Sequence, residues 1–457
     1  MTSKMMADML FALGVLSMFL LLGTFIRAKV RVLQQTFIPA SVIGGFILLI
    51  FGPVGLNWIP LPADWIKFYS LIPGILIVPV VASVPLGLKI TSSGKTLKNV
   101  MPLALIGSAI GMLQFTLGFV TQVLFDGSYD FYPTFGWELG LGYVGGHGTA
   151  GLLGNMLQGM NLPFWHVAQG VAITTATFGL VGGIILGMIL INIAARRGQT
   201  SILKKPGDIP ESFKVGYIKD VSKQPSMGRE TTMSSSIDAY AFHCAIIFGV
   251  CAVSYWLLAV IKGAKVPVLK DISIWAYCII VMFIVWWAIL KLKIDYLVDG
   301  KVKSKISGSL TEFAVVAAIG SMPIKAVMTY FVPILFMCLL GYVLTIGFLW
   351  FTCKAWLKDY WFEHMIATMG MSTGVFLTGI LLLRICDPDF ESPVLANYSL
   401  SYTLTSVAYF AILNVFLSTL LYSGIQNAIW LSLGLGVAET IAAFVISRLL
   451  MGKVHNA

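Results

Sequence analysis

The sequence predicts an all-α polytopic membrane protein, built from two inverted repeats of about five transmembrane helices with one extra C-terminal helix. Hydrophobic residues make up 58% of its 457 residues and charged residues only 11%, whereas soluble proteins average about 25% charged residues. Apolar runs of roughly 17 to 25 residues, the length of a spanning helix, follow one another along the chain. A basic linker at 196–237, rich in Ser, Gly and Pro, separates the halves.

The first half, residues 1–195, begins with a spanning helix predicted at 6–25. This apolar run is too long for the hydrophobic region of a cleaved signal peptide, and the basic residues follow it instead of preceding it. Further apolar segments predict helices at 38–53, 68–88, 103–125 and 164–194. A glycine-rich segment, 136–160, lies before the last of them and is treated below.

The second half, residues 238–425, repeats this organisation around a second mixed segment at 361–386. Its predicted helices lie at 239–261, 274–290, 310–328, 331–351 and 397–421. Residues 426–457 add one further helix, predicted at 428–450. The six cysteines lie in or beside apolar segments without CxxC spacing, so neither a disulfide framework nor a metal site is indicated.

The basic residues predict the orientation in the plasma membrane. If the N-terminus is outside, all but six of the 30 Lys and Arg residues lie inside, as the positive-inside rule requires. The six are Lys4, Lys67, Lys262, Lys265, Lys270 and Lys325. The linker and the C-terminus are then cytoplasmic, and eleven crossings are expected. The same rule explains the formal charge of +10, so no nucleic-acid partner is expected.

The segment 136–160 contains the stretch Gly145-Gly146-His147-Gly148-Thr149, followed by Gly151. Glycine costs about 1 kcal/mol relative to alanine inside a helix, so four glycines in seven residues predict a break. An unwound backbone within a membrane needs protein or a wet cavity to satisfy its polar groups. We therefore interpret 136–160 as a re-entrant hairpin whose tip offers N–H groups to an anion and carbonyls to a cation.

A second tip is predicted at Thr368-Met369-Gly370-Met371-Ser372-Thr373-Gly374, within 361–386. The order of elements around it matches the first half, since Ala82-Ser83-Val84-Pro85-Leu86 is similar to Gly320-Ser321-Met322-Pro323-Ile324. An odd number of crossings separates the matching elements, so the repeats are expected to be inverted. The first hairpin then enters from outside and the second from the cytoplasm.

The motif Gly145-Gly146-His147-Gly148-Thr149, together with Ala176-Thr177-Phe178-Gly179-Leu180-Val181-Gly182-Gly183, resembles the bacterial sodium/glutamate symporter family. The stretch Ile38-Pro39-Ala40-Ser41-Val42-Ile43-Gly44-Gly45 is similar to it as well. The resemblance implies inverted five-helix repeats with re-entrant hairpins, an elevator-like transport domain, a homodimer, and glutamate carried with Na⁺. The second tip lacks the Gly-His pair that the family has at this position. The helix at 428–450 is one more than the ten transmembrane helices usual in the family.

The residues and the resemblance together give two sets of candidates. The candidate substrate-binding residues are Gly145, Gly146, His147, Gly148, Thr149, Gly370, Ser372, Thr373 and Asn414. The candidate Na⁺ ligands are Thr149, Thr175, Thr177 and Thr373. Two interpretations stay open for several of them. His147 is a proton carrier or substrate donor, or else a structural donor; the threonines bind sodium or bond back within a helix; Asn414 contacts ligand or joins helices.

The predicted function is a sodium-coupled symporter that imports glutamate or a closely related acidic amino acid. An alternative keeps the class and changes the cargo to a citrate-like or other carboxylate, coupled to sodium or protons. A different class is an ion channel with the hairpins as pore loops. The chain has no HExxH, P-loop or clustered carboxylates, so an enzyme is not predicted, and no cofactor is expected apart from Na⁺ as the coupling ion.

Overall fold

A computed structural model describes residues 3–35, 38–87, 94–202, 215–264, 274–357, 359–387 and 392–452. Within these ranges every regular element is a helix. The helices of the first half are α1 (Ser3–Lys29), α2 (Arg31–Gln35), α3 (Ala40–Phe51), α4 (Ala63–Ala82), α5 (Gly94–Leu124), α6 (Glu138–Gly159) and α7 (Trp165–Arg196).

The described helices of the second half follow the linker. They are α8 (Ala239–Gly263), α9 (Ile274–Lys291), α10 (Gly300–Gly320), α11 (Ile324–Thr329), α12 (Phe331–Trp356), α13 (Trp361–Ser372), α14 (Phe376–Cys386), α15 (Val394–Ser418) and α16 (Ile425–Gly452). A π-helical turn, Thr419–Ser423, joins α15 to α16.

In the described part of the chain, 8 helices are long and apolar enough to cross a membrane. They are α1, α4, α7, α8, α12, α16, α5 from Asn99, and α15 with the π-helical turn. This confirms the predicted polytopic, all-helical membrane class. Helices α3 and α9 are apolar but shorter, and α10 belongs neither to the long apolar helices nor to the shorter ones. Membrane crossings by these three helices stay predictions.

Helix α10 begins ten residues before its predicted start at 310. Asp299 caps it, because its side chain accepts hydrogen bonds from the backbone N–H groups of Lys301 and Val302 at 2.9 and 3.2 Å. The helix then ends at Gly320, short of the predicted 328, since Pro323 cannot continue a helix. The apolar pattern of the sequence indicates neither the start nor the end of this helix.

The last helix packs along α5. The Ser108 hydroxyl of α5 donates to Glu439 of α16 at 2.7 Å, and Thr116 donates to the Ser432 hydroxyl at 2.8 Å. Between these two hydrogen bonds the contact is apolar, with Gly436 close to Leu113. Helix α5 therefore lies between α16 and the broken segments described next.

Candidate functional site

Helix α6 is broken at Gly146, where φ is 60° and ψ is −151°. This backbone conformation is essentially restricted to glycine. The break leaves two limbs, 138–145 and 147–159, of about 12 and 20 Å at 1.5 Å per residue. Each is shorter than the roughly 30 Å hydrocarbon core of a bilayer. The predicted break in the glycine-rich segment is therefore present.

The contacts of the two limbs run in opposite directions along α7. In the first limb, the Thr175 hydroxyl donates to the Glu138 carbonyl at 2.7 Å, and a Cβ added at Gly179 would lie 2.8 Å from the Tyr143 ring. In the second limb, His147 contacts Thr177 and Gly154 packs against Gln169. The first limb thus advances toward the C-terminus of α7, and the second limb returns toward its N-terminus.

The second mixed segment forms two short helices, α13 and α14, of 12 and 11 residues. They are about 18 and 17 Å long. A Cβ added at Gly370 of α13 would lie 2.8 Å from the Gly379 Cα of α14, and Gly379 also packs on the Ala367 carbonyl. Because Gly379, inside α14, packs back on Ala367 and Gly370, which lie before the end of α13, the chain turns back between the two helices. Thr373–Val375 connects them.

The two connecting tips meet beside α7. A Cβ added at Gly146 would lie 2.7 Å from Val375 Cγ1 and 3.4 Å from the Gly374 carbonyl oxygen. Gly179 and Gly183 of α7 both pack against Thr373, the first against its carbonyl oxygen and the second against its hydroxyl. Gly179 has no room for a side chain because the Thr373 backbone approaches it directly, whereas Gly146 and Gly183 lie closest to side-chain atoms.

A cavity of about 30 Å³ opens beside the first tip. It is lined by Val144, Gly145, Thr149, Met371, Tyr402, Thr405, Ser406, Tyr409 and Phe410. None of the nine carries a charge, and five carry a hydroxyl group. The volume has room for about two water molecules and is far below the roughly 300 Å³ of a small-molecule pocket.

Among the predicted residues of the first tip, Gly145 and Thr149 line this cavity. Gly148 faces Ile77 of α4. His147 Nε2 lies 3.0 Å from Thr177 Oγ1. The Thr177 hydroxyl already donates to the Ile173 carbonyl at 2.9 Å, so the His147 ring nitrogen is the donor in this pair. The binding role of His147 stays a prediction.

The remaining predicted residues lie at different distances from the tips. Thr175 joins α7 to the start of α6, and Thr373 donates to the Met369 carbonyl at 2.9 Å. Ser372 and Thr373 are fully buried, and Gly370 packs on α14. Asn414 lies on α15, beyond the residues that line the cavity. The binding roles of all these residues stay predictions.

A stripe of hydroxyl groups on α15 was not among the predicted site residues. Tyr402, Thr405, Ser406 and Tyr409 recur at helical spacing on one face and line the cavity. The sequence indicates this stripe, because polar residues at i, i+3, i+4 and i+7 of an apolar helix lie on one face.

Two further polar side chains, one beside the second tip and one at the start of α6, were not among the predicted residues. Gln114 of α5 donates to the Ser372 carbonyl at 2.8 Å. Glu138 is fully buried and accepts hydrogen bonds from Tyr132 and Thr134 at 2.6 and 3.2 Å. Polar and ionisable residues at membrane depth are functional candidates by default, and that rule singles out both.

The fold and the site define a class of protein. Discontinuous helices that meet within a bundle of membrane-spanning helices, and so present helix ends and unpaired backbone groups to a solute, are typical of secondary transporters. In the described residues no three His, Cys, Asp or Glu side chains come together as a metal-binding group.

Comparison with known proteins identifies the family. The sodium/glutamate symporter family matches residues 5–381, so the chain belongs to that family and the resemblance predicted from the sequence is confirmed. A sodium/glutamate symporter of Haemophilus influenzae is 28% identical over 232 residues, which are 50% of this chain and 53% of the relative. The chain therefore spans about half the length of this curated relative.

Proposed function

We propose that the protein is a sodium-coupled symporter that imports glutamate or a closely related acidic amino acid. Membership of the sodium/glutamate symporter family supports the coupling ion and the cargo, and the name of the curated relative agrees with both. The single observation that carries the proposal is the meeting of Gly146 with Gly374 and Val375 beside α7.

In this proposal both broken segments are re-entrant hairpins, one in each of two inverted repeats. The opposed contact directions of the α6 limbs along α7 support the first hairpin. For the second, the start of α13 lies near the end of α7, because Ser201 donates to Glu363 at 2.5 Å. Leu382 of α14 packs on Gly187. The second segment thus approaches the meeting point from the C-terminal half of α7, opposite to the first.

The helix ends at the tips provide the chemistry for an anion and a cation together. The limb 147–159 and α14 begin at the meeting point, so their N-termini direct partial positive charge and N–H groups at a substrate carboxylate. The limb 138–145 and α13 end there, and their carbonyls favour a cation. Thr149, Thr175, Thr177 and Thr373 remain our proposed side-chain ligands for Na⁺.

Transport requires the tips to separate, since the cavity of about 30 Å³ cannot hold an amino acid. We propose an elevator-like motion of the tips against a fixed scaffold. Sodium neutralises the anionic substrate before it enters the low-dielectric interior. Each net positive charge carried inward gains about 2.3 kcal/mol per 100 mV of membrane potential. We propose further that the protein lies in the plasma membrane as a homodimer. Its N-terminus is outside, and its linker and C-terminus are cytoplasmic.

The residues that line the cavity fit a second cargo equally well. The residues lining the cavity include no Lys or Arg, and the residue that α13 contributes to the lining is the apolar Met371. An acidic side chain of a substrate would thus rely on helix ends and sodium for its neutralisation. A transporter of another carboxylate, coupled to sodium or protons, meets the same requirement.

Uptake by reconstituted protein tests the proposal. In proteoliposomes with an inward sodium gradient, labelled glutamate is expected to accumulate above its equilibrium level, and replacing Na⁺ by choline should remove the accumulation. Competition by aspartate, citrate and malate ranks the cargoes. Accumulation of citrate but not of glutamate would select the second cargo, and a current without accumulation would indicate a channel.

A further inference from the structure

We propose that Gln114 and Ser372 supply side-chain oxygen ligands to a monovalent-cation site at the C-terminal end of α13. The inference rests on the proposed sodium coupling and extends it to two residues outside the predicted set of threonine ligands. Both side chains are fully buried, with 0% exposure. Each carries an oxygen atom that has no hydrogen-bond partner in the described part of the chain.

The orientation of the Gln114 amide follows from its partners. Nε2 lies 2.8 Å from the Ser372 carbonyl oxygen and 2.8 Å from Thr345 Oγ1. A carbonyl oxygen can only accept a hydrogen bond, so the atom facing it must be the NH₂ group. Flipping the amide would place two acceptors together. The carbonyl Oε1 of Gln114 is therefore the atom left without a partner among the described residues.

The Ser372 hydroxyl differs from those of the two nearest hydroxyl-bearing residues in the sequence. Thr368 and Thr373 donate their hydroxyl groups to carbonyls one turn earlier, at 2.8 and 2.9 Å. Ser372 Oγ makes no such bond within the described residues. A buried polar group without a partner costs about 1–3 kcal/mol. Two such oxygens, on residues already joined by a hydrogen bond, point to a bound ligand that both can contact.

The surroundings select a small cation of single charge. Ser372 is the last residue of α13, where the helix carbonyls carry partial negative charge. Amide and hydroxyl oxygens are hard ligands. Divalent cations are usually bound with carboxylates, which offset their larger desolvation cost. The described residues hold no cluster of three metal-binding side chains here or elsewhere, and the two oxygens are neutral, so Na⁺ fits better than Ca²⁺.

The position of the site explains how the ion acts on the tip. Thr373 follows Ser372 and packs on Gly179 and Gly183 of α7. Gln114 belongs to α5. A cation between Gln114 and Ser372 therefore fastens α5 to the second tip and holds that tip against α7. Release of the ion frees the tip to move.

Two variants and two matched controls test the site in purified full-length protein. Ser372→Ala removes only the hydroxyl, and Gln114→Leu removes the whole amide, its oxygen and its two Nε2 hydrogen bonds, at similar size. Thr368→Val removes a hydroxyl that already bonds to the backbone. Gln122→Leu changes a glutamine of α5 whose amide is satisfied at both ends, with Tyr132 at 3.3 Å and Gly136 at 2.7 Å.

Thermal unfolding is measured against NaCl, with choline chloride at matched ionic strength and no substrate. Sodium should stabilise the wild type, because ligand binding to the native state raises the unfolding midpoint. Each of the two variants is expected to need about tenfold more Na⁺ for the same shift, which corresponds to about 1.4 kcal/mol. The controls should keep the wild-type sodium dependence even where their unfolding midpoints change.

The outcomes separate this site from the proposed cargo. Equal sodium dependence in the wild type and in both variants would overturn the site while leaving sodium-driven glutamate uptake intact. Weakened sodium dependence in the variants, without any glutamate uptake by the wild type in proteoliposomes, would support the site and refute the cargo. Absence of sodium stabilisation in the wild type would also overturn the site.

Discussion

Replacing Gly146 by alanine is expected to reduce sodium-dependent uptake more than tenfold without preventing insertion of the protein. Its φ of 60° and ψ of −151° would cost an alanine about 1–3 kcal/mol. The added methyl group would also lie 2.7 Å from Val375 Cγ1. The backbone strain distorts the first tip, and the overlap with Val375 pushes the two tips apart, at the point where the substrate is proposed to bind. Initial uptake rates in proteoliposomes, normalised to incorporated protein, measure the change.

The control for this variant is Gly347→Ala. Gly347 lies within α12, and a Cβ there would meet no atom within 4 Å. Alanine is favoured over glycine inside a helix by about 1 kcal/mol, so uptake and stability should be preserved. Wild-type uptake in Gly146→Ala would show that contact between the tips is irrelevant to transport.

Replacing Gly179 by alanine is expected to have a similarly large effect through the second tip. The added Cβ would overlap the Thr373 carbonyl oxygen and lie 2.8 Å from the Tyr143 ring. Because the carbonyl is a backbone atom, it cannot rotate away as a long side chain would. We expect a more than tenfold loss of uptake, with a monodisperse protein on size-exclusion chromatography.

Gly249→Ala is the matched control, since Gly249 lies in α8 with no atom within 4 Å of an added Cβ. If Gly179→Ala retained both the uptake rate and the sodium dependence of the wild type, the packing of the second tip on α7 would have no part in transport.

The sequence made the first tip predictable because each glycine weakens a helix and glycines cluster there. Four of them within 145–151 predicted the break, and the structure places it at Gly146. The pairing of this tip with the second was predicted from the order of elements. The atoms that touch were not predictable, because Gly146 and Val375 lie in different halves of the chain.

Other features could not be predicted because a single polar side chain produces no periodic pattern in the sequence. Gln114 is one of several scattered polar residues in an otherwise apolar helix, and its partner Ser372 lies 258 residues away. The start of α10 depended on the cap at Asp299, which the apolar pattern does not register. The hydroxyl bonds of Thr175 and Thr177 likewise depend on which helices pack together.

The central claim is that each broken segment enters and leaves the membrane on one side, and that the two segments do so from opposite sides. Labelling of single cysteines with a membrane-impermeant thiol reagent tests it directly, in protein whose six native cysteines have been replaced. The exposed residues Ser128 and Asn161 flank the first segment, and the exposed residues Asp359 and Pro393 flank the second.

Our account predicts that Ser128→Cys and Asn161→Cys react from outside intact cells, whereas Asp359→Cys and Pro393→Cys react only from the cytoplasmic side in inverted vesicles. Reaction of Ser128→Cys and Asn161→Cys from opposite sides would mean that the chain crosses the membrane between them. That result would contradict the account.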